Sequence, residues 1–282
     1  RAGCPPNSAG QERAVAVDGL VGRNVGERVG DSGLSEEDRV AGEFAHEAGR
    51  GLMQLRARSA GGGALGKAGD QWSHHLLTRR IAGRFPGDRI RSEEADQSVP
   101  LGPAAGRVWI IDPLDGTREY SEGREDWAVH VGLAVDGAPR VGAVALPAVG
   151  VVLTTGEPPA LAPPAATPRM VVSRSRPPGF APFVAERLGA VTVPMGSAGA
   201  KIAAVIRGEA DVYVHAGGQY EWDSAAPVAV ALAGGLHATR LDGTPLRYAQ
   251  PDPWLPDLVV CHPWLAGAVL AAVRESGALA AE

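Results

Sequence analysis

The 282 residues include 27 Lys and Arg against 32 Asp and Glu, for a net charge of -5, and 45% of them are hydrophobic. A chain of this length buries a core large enough for an enzyme, in one large domain or two modest ones, and with no long block of one sign it offers neither a nucleic-acid groove nor a patch for an anionic membrane. Its two cysteines, Cys4 and Cys261, make no disulfide framework and lack metal-ligand spacing, which suits a reducing, cytoplasmic setting.

Residues 1–34, rich in Gly, Arg and Asp and without a sustained period, read as a disordered leader outside the fold. Order is expected from Ser35, an N-cap for the acidic turn Glu36, Glu37 and Asp38, with Val40, Phe44, Ala48, Leu52 and Leu55 following at helical spacing to about Arg58. After the glycines at 61–63, Asp70 is positioned to cap a second helix whose residues Trp72, Leu76, Leu77 and Ile81 face inward until Pro86-Gly87 stops it. From Arg107 to Leu153 the stretches VWIID, WAVHVGLAV, VGAVAL and VGVVLT, parted by DG, GAP and PAVG turns, predict a meandering sheet. This makes 35–156 an N-terminal α+β half. The Pro-rich stretch 157–168 has no period and reads as a linker to a second α/β half, 169–282. In that half the short strands MVVS, VTV, DVYV, LHAT and LVVC alternate with helices near 179–188, 198–207, 223–234 and 263–278. Apolar runs such as 227–236 are too short to span a bilayer, and no signal peptide is evident at the start.

The chemistry concentrates in WIIDPLDGTREY, residues 109–120, where Asp112 and Asp115 crowd the end of an apolar strand. Two carboxylates about 4 Å apart repel by roughly 4 kcal/mol at an effective dielectric near 20, so one takes a proton or a cation sits between them. Pro113 restrains the turn and leaves the Leu114 carbonyl available, an all-oxygen set that suits Mg²⁺. A helix opening at Gly116 and Thr117 would add backbone N–H groups for a phosphate. The same pair fits an Asx turn equally well. Glu93 and Glu94 lie in a loop within reach of the acids, or are a solvated pair; Asp223 stands before an apolar helix, as a ligand or as its cap.

Read together in this order, Ser-Glu-Glu, W-I-I-D-P-L-D-G-T, G-S-A-G-A-K and E-W-D-S-A-A-P resemble the lithium-sensitive, magnesium-dependent phosphatases related to inositol monophosphatase. D-P-L-D-G-T-R-E-Y with D-W-A-V-H is most similar to the CysQ-type 3'(2'),5'-bisphosphate nucleotidases, particularly those of actinobacteria, and the likeness extends from about residue 35 onward. The resemblance implies an α/β fold, a layered αβαβα sandwich. It implies two Mg²⁺, with room for a third: one on Glu93, Asp112 and the Leu114 carbonyl, the second on Asp112, Asp115 and Asp223. Asp70 and Thr117, with Glu93, would activate the attacking water. Substrate would be met by Asp115, Gly116, Thr117, Arg118, Ser197, Lys201 and Asp223, with Arg174 and Arg176 as further cations for a second phosphate. Arg176, Ala198 and His215 stand where other nucleotidases often carry His, Ser and Arg, so the nucleotide pocket is not copied residue by residue. The activity implied is removal of the 3'-phosphate from adenosine 3',5'-bisphosphate, and from its sulfated form, in support of sulfate assimilation. Hydrolysis of inositol monophosphate or fructose 1,6-bisphosphate is the alternative enzyme reading, and a non-catalytic metal and phosphate binder is a third. The partner implied is a small phosphate ester, with no nucleic-acid polymer and no membrane; a homodimer is compatible with either enzyme reading.

Overall fold

The computed structural model describes residues 35–59, 62–98 and 105–280, so the expected leader lies outside the described residues. Helix α1, Glu36–Ala57, starts as its sequence dictates: Ser35 Oγ accepts from Asp38 N at 3.1 Å, and three acids occupy the first turn. Helix α2 differs from expectation. It begins at Gly63 and runs to Arg84, so Asp70 is buried within its second turn instead of capping its start. Trp72 is 40% exposed, its ring laid over Gly51 of α1, while Leu76, Leu77 and Ile81 are buried as expected.

The first sheet has the order β1-β2-β3-β4-β5, from Arg89–Ser92, Arg107–Asp115, Ala128–Val135, Ala138–Leu146 and Val151–Thr154. The strand β1, RIRS, carries no hydrophobic alternation and was invisible to pattern reading; it pairs in parallel with β2 at the sheet edge. The short helix α3, Thr117–Ser121, follows β2. Residues 157–168 are irregular, and beyond them comes the second sheet, β7-β6-β8-β10-β9, from β6 Arg169–Ser173, β7 Val191–Met195, β8 Val212–Tyr220, β9 His237–Thr239 and β10 Trp254–Cys261. Helices α4, Ala181–Leu188, α5, Ala198–Ile206, α6, Ala225–Ala233, and α7, Ala266–Glu275, complete the chain.

Alternation along each strand sets the layers. Trp109, Ile111, Val129, Val131 and Leu133 face α1 and α2. Val108 and Ile110 face the other way and share a core with Ile202 and Val205 of α5, Val228 and Val230 of α6, and Tyr213 and Val260 of the second sheet. Val172, Val214 and Val259, on that sheet's far face, pack with α4 and α7. The result is α1α2, sheet, α5α6, sheet, α4α7: the αβαβα sandwich. Helix α6 lies close on the first sheet because Gly132 offers no side chain; a Cβ there would stand 3.0 Å from Ala226 N.

Candidate active site

The site forms where β2 ends. Asp112 pairs with His130 and Asp115 with Ala128, so three residues of β2 span two of β3. The extra residue falls at Pro113-Leu114, a β-bulge at the position where proline has no ladder N–H to give. The bulge turns Asp112 and Asp115 toward one volume instead of opposite faces. Leu114 N donates to Asp112 Oδ1 at 3.0 Å, and the Leu114 carbonyl accepts from Thr117 Oγ at 3.1 Å. Gly116, at φ +88°, turns the chain into α3 in a conformation a side chain would strain, with Trp127 and Ser197 packed against it.

The remaining acids arrive from three directions. Asp70 of α2 lies 3.3 Å from Thr117 Oγ through each carboxylate oxygen. Glu93 follows β1 and hydrogen-bonds Asp112; its outer edge is open to solvent, while its carboxyl feels the charges of Asp223, Asp70 and Asp115. Asp223 ends a 3₁₀ turn before α6, with Oδ2 accepting from Tyr220 N at 2.6 Å. The structure therefore gathers Asp70, Glu93, Asp112, Asp115, Asp223 and Thr117 in one place.

Their electrostatics show what they lack. Burial pushes the Asp70 carboxyl up to about 7, with Glu94 adding to the rise, and burial followed by the charge of Asp115 does the same to Asp223, also to about 7. Glu93 reaches about 8 through burial and then Asp223, and Asp112 is held well above the usual carboxylate range by burial and then Glu93. Uncompensated carboxylates in such proximity hold protons or take up a cation.

His130, on β3, is a site residue that neither motif nor spacing in D-W-A-V-H singles out. Its signal was a lone imidazole in an otherwise apolar strand, in register with Asp112. Nδ1 lies 2.9 Å from the Trp222 carbonyl, which only accepts, so Nδ1 carries the hydrogen; burial keeps the ring neutral. Nε2 then turns a lone pair toward Asp115 Oδ2 at 3.4 Å and has no hydrogen-bond partner. Among the described residues, Asp112, Asp115 and His130 offer ligand atoms within 4.8 Å of one another. Two facing acceptors amid raised acids fit a divalent cation, and the predominance of oxygen favours a hard one.

Above these acids stands the N-terminus of α5. Asp115 Oδ2 accepts from Ser197 Oγ at 2.6 Å and Gly199 N at 2.5 Å, and Oδ1 from Ala198 N at 3.2 Å. Ser197 holds an unusual φ of +48°, its turn braced by Lys201 Nζ donating to the carbonyls of Gly196 at 3.2 Å and Ser197 at 2.5 Å. Lys201 is buried, and its ammonium is engaged by the turn and lies 5.3 Å from the Tyr213 ring. Of the expected cations, Arg118 is 67% exposed and paired with Glu122, and Arg174 pairs with Glu119 at 2.6 Å. Arg176 lies close enough to oppose the rise at Asp223, and it lines a cavity of about 750 Å³ with His215, Gly217, Gly218, Trp254 and Asp257.

A Cβ on Gly199 would collide with the His130 ring beneath it. Gly199→Ala is expected to cost about 1–3 kcal/mol by overpacking, lowering the melting temperature in a calorimetric scan; an unchanged melting temperature would show that His130 is free to yield.

A layered α/β sandwich that gathers buried acids at a strand end, under the N-terminus of a helix, has the architecture of a metal-dependent phosphatase. The chain belongs to the inositol monophosphatase family, whose model matches residues 34–278. It is 48% identical over 244 residues to a protein of Mycobacterium bovis named 3'-phosphoadenosine 5'-phosphate phosphatase, covering 82% of this chain and 90% of that relative. It is 28% identical over 232 residues to the 3'(2'),5'-bisphosphate nucleotidase CysQ of Escherichia coli, covering 76% of this chain and 94% of the relative. Among solved structures, inositol monophosphatase II of Staphylococcus aureus superposes with a TM-score of 0.74 at 20% identity, over 86% of this chain and 95% of that one, a likeness of fold. Among the described residues no helix is long and apolar enough to cross a membrane.

Proposed function

We propose that this chain hydrolyses the 3'-phosphate of adenosine 3',5'-bisphosphate, and of its sulfated form, with Mg²⁺ as the cation. The observation that carries this reading is the 48% identity, along 90% of the relative's length and 82% of this chain, to a relative named for that activity. Asp112, Asp115, Asp223 and Glu93, with the Leu114 carbonyl, would make up the donor set for two cations. When bound, Mg²⁺ acidifies a water and neutralises charge on the phosphate and leaving oxygens.

The chain's own residues do the rest. Phosphoryl transfer depends on holding the nucleophile in line and balancing charge. Thr117 Oγ, fixed between Asp70 and the Leu114 carbonyl, orients a water; a hydroxyl is too weak a base to take its proton. Asp70, whose carboxylate faces Thr117 Oγ through both oxygens at 3.3 Å, is the group placed to receive that proton. Gly116 and Thr117 frame the phosphate, while Lys201 and Ser197 keep the α5 turn in shape from behind. The cavity beside Arg176 has room for the nucleoside, with Trp254 at its wall and Arg176 suited to the 5'-phosphate.

Steady-state kinetics in Mg²⁺ test the assignment. The nucleotide is expected to exceed inositol 1-phosphate and fructose 1,6-bisphosphate in kcat/KM by at least tenfold, with inhibition by millimolar Li⁺. A preference for either sugar phosphate would overturn the substrate, and full activity in Li⁺ would count against the proposed metal chemistry.

A further inference from the structure

Glu93 and Asp223 approach the site from opposite parts of the chain, one from the loop after β1 and the other from the turn before α6. Each stands two residues beyond one member of a buried ion pair. Arg91 Nη1 donates to Glu221 Oε2 at 2.5 Å, and the two side chains are 6% and 1% exposed. Both ends of this pair are rigid. Arg91 pairs with Ile110 in the β1-β2 ladder, and Glu93 N continues that ladder to the Ile111 carbonyl at 3.3 Å, directly before Asp112. Glu221 accepts from Gln250 N at 2.8 Å through its other oxygen, and shares its turn with the Tyr220 N to Asp223 bond.

A buried ion pair is poor evidence for stability, because a well-packed apolar pair of similar volume often does as well. What an apolar pair cannot supply is a directional, charged hydrogen bond of fixed length between two particular backbone segments. Here those segments are the ones carrying Glu93 and Asp223.

We infer that the Arg91–Glu221 pair is a positioning strut that sets the spacing of the Glu93 and Asp223 carboxylates, and through it the affinity of the site for its divalent cation. The inference rests on the metal-site reading of Glu93 and Asp223 made above. Both side chains are buried against each other, so their effect passes through the acids two residues on. Groups that orient metal ligands typically contribute about 10–100-fold to affinity.

The test compares wild-type protein, Arg91→Lys, Glu221→Gln and the double variant Arg91→Met/Glu221→Met. Mg²⁺ affinity is read from the Mg²⁺-induced rise in melting temperature and, separately, from the Mg²⁺ concentration giving half-maximal activity. The double variant is expected to keep the wild-type near-ultraviolet circular dichroism while its Mg²⁺ affinity falls about 10–100-fold, with KM for substrate at saturating Mg²⁺ within about twofold of wild type. Arg91→Lys, which retains the charge, is expected to recover part of the affinity. A folded double variant with wild-type Mg²⁺ affinity would overturn the strut. If the double variant does not fold, Glu221→Gln, which keeps the shape of the side chain, decides by the same two readouts. A wild-type protein whose stability and activity ignore Mg²⁺ would instead overturn the metal-site reading itself.

Discussion

Asp112→Asn is expected to abolish most activity while making the metal-free protein more stable. Asp112 is 1% exposed, with Glu93, Asp115 and Asp223 all disfavouring its ionised form. An amide of the same shape can still accept from Leu114 N, as Oδ1 does now, so the bulge is retained. It removes the cost of keeping a buried carboxyl protonated without opening a cavity, and each kcal/mol so recovered raises the melting temperature of a chain this size by about 2–4 °C. The same change takes from the site the carboxylate proposed to contact both cations. Loss of one preorganised charge-stabilising group costs about 10²–10³-fold in kcat, and Asp112 is expected to reach at least that. Thermal scans with and without Mg²⁺, beside phosphate-release kinetics, check both arms. A variant that is active, or one that still gains stability from Mg²⁺ as the wild type does, would remove Asp112 from the metal site.

The second large effect concerns pH. Asp70 and Asp223 are raised to about 7 and Glu93 to about 8, above their ordinary values of 3.8 and 4.5. Above pH 5 the unfolded chain has released these protons while the metal-free fold still holds them. The native state therefore binds more protons, and its stability falls as pH rises. The contribution is fully present below the unfolded values near pH 4, declines through the neutral range and levels off once the folded values near 7 to 8 are passed. A shift of about three units on one buried carboxyl such as Asp70 corresponds to about 4 kcal/mol; the acids share their repulsions, so their shifts do not add. A bound cation takes the place of the protons. Stabilisation by Mg²⁺ is accordingly expected to grow from pH 5.5 to 8.5, and binding should release protons, measurable by titration calorimetry in buffers of different ionisation enthalpy. A metal-free melting temperature that rises across this range would show that the acids are already neutralised by protein groups.

Much of the site was legible because its residues are clustered in short motifs. W-I-I-D-P-L-D-G-T puts two acids, a proline and a threonine within nine residues, and the bulge that brings both acids to one face is a local event at Pro113. Ser35 announced α1 for the same reason, since an N-cap and its first turn are adjacent in sequence. Asp70 was found by its resemblance to a family acid; local reading made it a cap, because Gly-rich sequence before it looked unable to continue a helix. The helix starts at Gly63 regardless, since packing of α2 on β2 and α1 outweighs the roughly 1 kcal/mol that each interior glycine costs.

What escaped the sequence are the groups whose meaning depends on a distant partner. His130 in an apolar strand has no chemistry until the Trp222 carbonyl, 92 positions away, fixes its ring toward Asp115. Arg91 and Glu221 are ordinary charged residues until the fold buries them against each other across 130 positions. Lys201, singled out as a substrate contact by position, also donates to the carbonyls of its own turn, which no spacing along the chain announces. The sequence alone determined most of the helices and strands and singled out the candidate acids, because period and motif are short-range properties. Only the tertiary structure decided which acids share a volume and which charges are buried in pairs, along with the cation deficit that results, because desolvation and Coulomb energy depend on distances in space that no spacing along the chain encodes.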